Sequence, residues 1–185
     1  SAGTATVAGA DLASQPVEVR RHLGYVAQMG TTDPAAIAGE ELVDHARMYG
    51  IDKQTAAARG KALLSGLDLD GLWERKCGSL SGGQRRRLDI AMGLIHEPHV
   101  VFLDEPSTGL DPQARANLWG HIRRVRDDFD TTVLITTHYM DEADALCDRI
   151  LIIDNGEIVA EGTPDELKRR VGCDQITLAV RAADS

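Results

Sequence analysis

At 185 residues the chain is long enough for one domain with a sizeable core, and 43% hydrophobic with 26% charged residues is a globular composition. A formal net charge of -9 argues against nucleic acid as a partner, because such recognition rests on a basic patch or stripe. It leaves a phosphate ligand open, since that needs only local N–H groups and a few charges.

Basic residues cluster at Arg85-Arg86-Arg87 and Arg123-Arg124, both read here as solvated helix faces. Cys77, Cys147 and Cys173 lack metal-like spacing and are expected to be reduced thiols, in neither a zinc site nor a disulfide. No apolar run approaches the roughly 18 residues of a membrane span, and no signal peptide is read. Residue 1 is Ser, so a natural start is not expected there.

In chain order, Ala5–Gly9 reads as a short strand ending in a turn, and Leu23–Ala27 as a second strand closing at Gln28. From about Glu40 to Trp73 the pattern is helical: Leu42, Ala46 and Tyr49, then Ala56, Gly60, Leu63, Leu64 and Leu67, recur at three- and four-residue spacing. Gly50 and Gly66 read as helix stops. A helix is predicted from about Gly83 to His96, with Leu88, Ala91, Leu94 and Ile95 inward. The apolar run Val100–Leu103 then suits a buried parallel strand. A helix over 112–129, a strand at Thr132–Thr136, a short helix at Met140–Leu146 and a strand at Arg149–Ile153 follow. Asn155-Gly156 marks a hairpin returning through Glu157–Ala160. This alternation implies a parallel sheet flanked by helices. Gln175–Val180 reads as one further strand.

Four segments carry chemistry. Leu80-Ser81-Gly82-Gly83-Gln84 enters a helix, where unpaired N–H groups and the helix dipole favour an anion and two glycines admit close approach. A plain capped helix start reads equally well on this pentapeptide alone. Asp104 and Glu105 follow the apolar strand at the end where open α/β sheets bind ligands. Asp104 suits a magnesium ligand and Glu105 a base for an attacking water; a helix N-cap carboxylate is the alternative. Ser107–Pro112 by itself is a turn with an Asp cap and Pro at the first helical position. His138 ends the strand next in order to the one bearing the carboxylates and should open on their side. His22, His45, His96, His99 and His121 are read as structural.

In this order the segments resemble the ATP-binding-cassette (ABC) ATPase family, from about Gly3 to Val171. Leu80–Gln84 is similar to its signature motif, Val100–Glu105 to its Walker B strand and Ser107–Asp111 to its D-loop. His138 resembles its switch histidine, and Gln28 its Q-loop glutamine. The stretch Asp141–Asp144 through Pro164 resembles transporter subunits. Arg85–Asp89 and the tail resemble the drug-exporter branch typified by daunorubicin-resistance ATPases.

The resemblance implies ATP and Mg2+ as cofactors and two ATPase subunits, expected to be a homodimer, closing on two ATPs. It places Ser81, Gly82 and Gly83, with Gln84, at the γ-phosphate across the dimer. Gln28 and Asp104 then serve the metal, Glu105 acts on the attacking water, His138 steadies the γ-phosphate and Asp111 links the halves. A transmembrane permease subunit is the implied partner, facing the helical stretch from about Glu40 to Arg75. The implied location is the cytoplasmic face of the membrane, peripherally bound.

One element of the pattern is missing. A phosphate loop reads Gly-x-x-x-x-Gly-Lys-Ser/Thr. The single Gly-Lys pair, Gly60-Lys61, has Thr55 where Gly is needed and Ala62 where a hydroxyl is needed. The loop is expected upstream of Gly3, so these 185 residues alone are expected to be inactive.

The expectation is therefore an α/β fold, P-loop NTPase-like and N-terminally truncated, with a mainly parallel sheet and a helical subdomain inserted at about 35–78. Residues 1–172 would form the partial ATPase domain and 173–185 the start of a C-terminal extension. Two other classes stay open: a non-transport ABC ATPase acting on DNA or ribosomes, and a non-catalytic dimerising module. The acidic charge, the lack of coiled-coil insertions and the exporter-like tail speak against the first. The set Gln28, Asp104, Glu105 and His138 speaks against the second.

Overall fold

The computed structural model describes residues 3–171; Cys173, the strand expected at Gln175–Val180 and the extension expected over 173–185 lie outside them. The chain divides into two compact units, one ending at His138 and the next beginning at Tyr139.

The first unit opens on a small antiparallel pair, β1 (Thr6–Val7) and β2 (Ala10–Asp11). Asp11 shapes the following turn, its Oδ1 accepting from the Ser14 N–H at 2.8 Å and the Ser14 hydroxyl at 2.7 Å. The turn leads into α1 (Pro16–Arg21). Hydrophobic spacing predicts no helix there, because six residues are too few to repeat. The signals are Pro16 at the first helical position, Glu18 in the first turn, and Arg20 and Arg21 in the last.

Three strands, β3 (Leu23–Val26), β4 (Val100–Asp104) and β5 (Thr132–Thr136), form a parallel sheet in that order, with Val26 opposite Leu103 and Asp104 opposite Thr136. One face buries Gly24, Val26, Val101 and Leu103. On β3 and β5, Tyr25 (64% exposed) and Leu134 (44%) stay open to solvent. Helix α4 (Gly82–Leu94) packs on β3 and β4 with Leu88, Ala91, Leu94 and Ile95 buried, as their spacing predicts. The approach is close. A Cβ at Gly24 would lie 2.2 Å from the Gly93 carbonyl oxygen, and one at Gly93 would lie 2.6 Å from Val26.

Helices α2 (Ala38–Met48) and α3 (Lys53–Gly66) occupy the stretch between β3 and α4. Backbone bonds close their neck: Gly78 N–H to Pro34 O, Cys77 N–H to Ala36 O, Ala38 N–H to Arg75 O and Gly39 N–H to Trp73 O, all 2.9 Å. Gly50 takes the left-handed stop of α2 at φ 82°. Gly66 does not do so for α3. That role falls to Asp68 at φ 51°, and the Leu69 N–H closes back on Leu64 O at 2.8 Å. Gly60 lies inside α3, and a Cβ there would meet the Trp73 ring at 3.0 Å. Its missing side chain thus makes room for an indole and builds no phosphate loop. Helix α5 (Pro112–Phe129) completes the unit.

The second unit holds α6 (Met140–Leu146), β6 (Ile150–Asp154), β7 (Glu157–Gly162) and α7 (Pro164–Val171). The alternation predicts β6 as the next parallel strand. It pairs instead with β7 in an antiparallel two-stranded sheet, the hairpin that Asn155-Gly156 predicts. The reason is local: Asn155 and Gly156 both take positive φ, 49° and 84°, and form the turn that hands β6 its own neighbour. Thr163 and Glu166 cap α7 reciprocally.

The Gly24–Gly93 contact makes a checkable prediction. Gly24→Ala should destabilise the chain by about 1–3 kcal/mol in urea unfolding, the usual effect of overpacking. Gly120→Ala, in α5 with open space around it, should be neutral or stabilising by up to about 1 kcal/mol.

Candidate active site at the strand ends

The carboxyl ends of β3, β4 and β5 gather the acidic pair. Asp104 is the last residue of β4; its Oδ1 accepts from the Thr136 hydroxyl and its Oδ2 from the Tyr25 hydroxyl at 3.3 Å. Glu105 then leaves the strand with φ 47°, a left-handed conformation strained for Glu. Its N–H is held by the Thr136 carbonyl at 3.0 Å and the Thr136 hydroxyl at 3.2 Å. Its Oε2 lies 2.6 Å from His138 Nδ1 and accepts from the Thr108 hydroxyl at 2.7 Å. The bond to His138 first, and then that to Thr108, hold the Glu105 carboxyl below its ordinary pKa. The structure therefore joins Asp104, Glu105 and His138 in one hydrogen-bonded group through Thr136. Tyr25, Thr108 and Thr136 belong to it too; Tyr25 and Thr136 are signalled only by their place in the strands, and Thr108 lies within the Ser107–Asp111 segment.

Gln28 lies outside that group, exposed in the turn after β3. Ser81 and Gln84 cap α4 reciprocally: the Gln84 N–H donates to Ser81 Oγ at 3.2 Å and the Ser81 N–H to Gln84 Oε1 at 2.9 Å. This is the plain capped start that the pentapeptide allows, and it leaves two glycines unexplained. Nothing lies within 4 Å of a Cβ placed at Gly82, and only Ala114 Cβ, at 3.7 Å, near one at Gly83. Neither takes a positive φ. Within this chain's own packing neither position is crowded, so neither requires a glycine. Asp111 caps α5, accepting from the Ala114 N–H at 2.8 Å, with Pro112 at the first position.

The triple arginine corrects the sequence reading. Arg86 is buried at 7% exposure, and Arg87 is half-buried, donating to Leu67 O at 2.9 Å and meeting His121 Nε2 at 3.1 Å. Arg123 and Arg124 are exposed, as expected. Burial is tolerable for Arg86 because backbone carbonyls take its N–H groups. Spacing could have signalled it: Arg86, Asp89, Ile90 and Gly93 share one helix face. Asp89 is also buried, which pushes its carboxyl above the ordinary range. The Thr31 N–H, donated to its Oδ1 at 3.2 Å, partly offsets that.

As a donor set for a metal, the Asp104 carboxylate and the Gln28 amide are hard oxygen ligands after adjacent strands. The described residues hold no cluster of three His, Cys, Asp or Glu side chains suited to an ion. Hard oxygen donors of this kind suit Mg2+, which takes one or two carboxylates beside substrate phosphates.

Residues 1–108 match the ABC transporter family model. The chain belongs to the ABC transporter family. Among its ABC relatives, the doxorubicin resistance ATP-binding protein DrrA of Mycobacterium tuberculosis is 44% identical over 171 residues, 92% of this chain and 51% of that protein. The daunorubicin/doxorubicin resistance ATP-binding protein DrrA of Streptomyces peucetius is 43% identical over 183 residues, 99% of this chain and 55% of that protein. The chain thus spans about half the length of the curated relatives it matches. A solved structure of the ATP-binding subunit of an ABC transporter superposes with a TM-score of 0.73 at 27% identity, covering 90% of this chain and 69% of that one. The parallel sheet and its helices are accordingly those of the P-loop NTPase-like α/β fold.

The Glu105–His138 pair sets a pH expectation. The folded pKa of Glu105 lies below the ordinary 4.5, so this group stabilises the fold above about pH 4.5 and loses that contribution as pH falls through the folded value. In a carboxyl-carbon NMR titration, His138→Ala should move the Glu105 midpoint up toward the ordinary value. Identical midpoints in the two proteins would remove His138 as the cause.

Proposed function

We propose that the chain is part of the ATP-hydrolysing subunit of an ABC transporter of the drug-exporter type, with Glu105 and His138 as its catalytic pair. The observation that carries the reading is the Glu105–His138 contact at the strand end beside Asp104. Membership of the family and the drug-resistance names of the relatives support the transporter and exporter parts. The 185 residues contain no Gly-x-x-x-x-Gly-Lys-Ser/Thr segment, so the activity proposed is that of a longer subunit. By themselves they should not hold Mg-ATP.

In this mechanism Glu105 orients and polarises the water that attacks the γ-phosphate. A carboxylate held below its usual pKa is a weak proton sink, so positioning outweighs proton removal in its role. His138 fixes Glu105 and steadies the γ-phosphate. Asp104 and Gln28 would hold Mg2+, which when bound neutralises phosphate charge. Ser81, Gly82 and Gly83 face the γ-phosphate bound by a second copy, with Gln84 holding the cap that shapes them. The otherwise unexplained glycines support this role. Asp111 lies at the link between copies, and the helical stretch from about Glu40 to Arg75 faces a transmembrane permease. Peripheral attachment at the cytoplasmic face belongs to the same reading; no helix among the described residues is long and apolar enough to cross a membrane.

In the full-length subunit, Glu105→Gln should retain ATP binding and lower hydrolysis by roughly 10²–10⁴. Near-normal turnover would sink the assignment. Ser81→Arg should leave ATP affinity of the monomer nearly intact and abolish ATP-dependent dimerisation in light scattering; ATP-driven dimers of normal stability would reject the cross-dimer role.

A further inference from the structure

One buried side chain on α4 reaches both turns that carry the proposed chemistry. The Arg86 guanidinium donates from Nη1 to Ala27 O at 2.6 Å, from Nη2 to Asp104 O at 2.8 Å and from Nε to Pro106 O at 2.9 Å. Ala27 immediately precedes Gln28, and Asp104 and Pro106 flank Glu105. Three residues further along the same helix face, Asp89 takes the Thr31 N–H at 3.2 Å. The turn bearing Gln28 is therefore held at both ends from one helix, by a donor at Ala27 and an acceptor at Thr31.

The chemistry of the group matters. A guanidinium presents five N–H donors in a rigid planar fork, so one side chain can satisfy three carbonyls lying in different directions. Lys carries the same charge on a single point and cannot reproduce the fork. The side chain also starts five residues from Ser81, within a helix stiffened by its packing on β3 and β4.

We propose that Arg86 is a positioning residue that locks the Gln28 turn and the Glu105 turn to the helix beginning at Ser81. Movement of that helix start, where a second copy's nucleotide is proposed to press, is then carried to both turns together. The kinetic part of this inference rests on the ATPase reading above; the positional part does not.

The test uses Arg86→Lys and Arg86→Gln in the full-length subunit, with two readouts. With Mg-ATP, kcat should fall about 10²-fold, as for a misplacement of about 1 Å, while KM stays within about threefold. In amide hydrogen exchange without nucleotide, residues 28–31 and 105–108 should exchange about tenfold faster, with α2 and α3 unchanged. Wild-type kcat in both variants would overturn the proposal. So would unchanged exchange in the two turns, or acceleration spread evenly over the chain, which would mark Arg86 as merely structural. If the wild-type subunit itself fails to turn over Mg-ATP, the ATPase reading falls, and the exchange result alone decides the role of Arg86.

Discussion

The first unit depends on how closely α4 lies against the sheet. At Gly24 and Gly93 strand and helix meet with no room for a methyl group on either side. Interiors packed to crystal-like density transmit displacement, where looser contacts would absorb it. This contact fixes the depth of α4, and from that depth Arg86 and Asp89 reach backbone groups at the strand ends. Residues that belong to three separate stretches of sequence thereby share one rigid support. Precision of this kind is what positioning catalysis requires, and it is easier to supply from a helix and a sheet than from loops.

Much of this was legible in the sequence, for reasons that can be stated residue by residue. Apolar spacing located Leu88, Ala91, Leu94 and Ile95 because helix burial repeats every three to four residues. The unbroken apolar run Val100–Leu103 announced a parallel strand, although only Val101 and Leu103 are buried and Val100 and Phe102 lie on the more open face. The order of strand ends implied that His138 would open beside Asp104 and Glu105, and the structure places it in contact with Glu105.

What the sequence did not disclose depends on three-dimensional partners. In the sequence Arg86 reads as a solvated residue, because burial of an arginine is decided by the carbonyls awaiting it, and those lie 18 to 59 residues away. The left-handed stop of α3 fell to Asp68 in place of Gly66, an exchange that composition favours in the other direction. The β6–β7 hairpin itself was announced by Asn155-Gly156; the sequence did not disclose that β6 would take no place in the parallel sheet. Tyr25 and Thr136 carry hydroxyls that acquire meaning only once β3, β4 and β5 stand side by side.

The conformation of Glu105 has a consequence for how this position can change. A left-handed backbone at a residue with a branched-off side chain stores roughly 1–3 kcal/mol, which Gly or Asn would release. Selection for robustness and selection for turnover therefore pull on residue 105 in opposite directions. A lineage or a laboratory library screened for thermal endurance alone should drift toward Gly or Asn there and lose its carboxylate, so the residue is a built-in gauge of which pressure has acted.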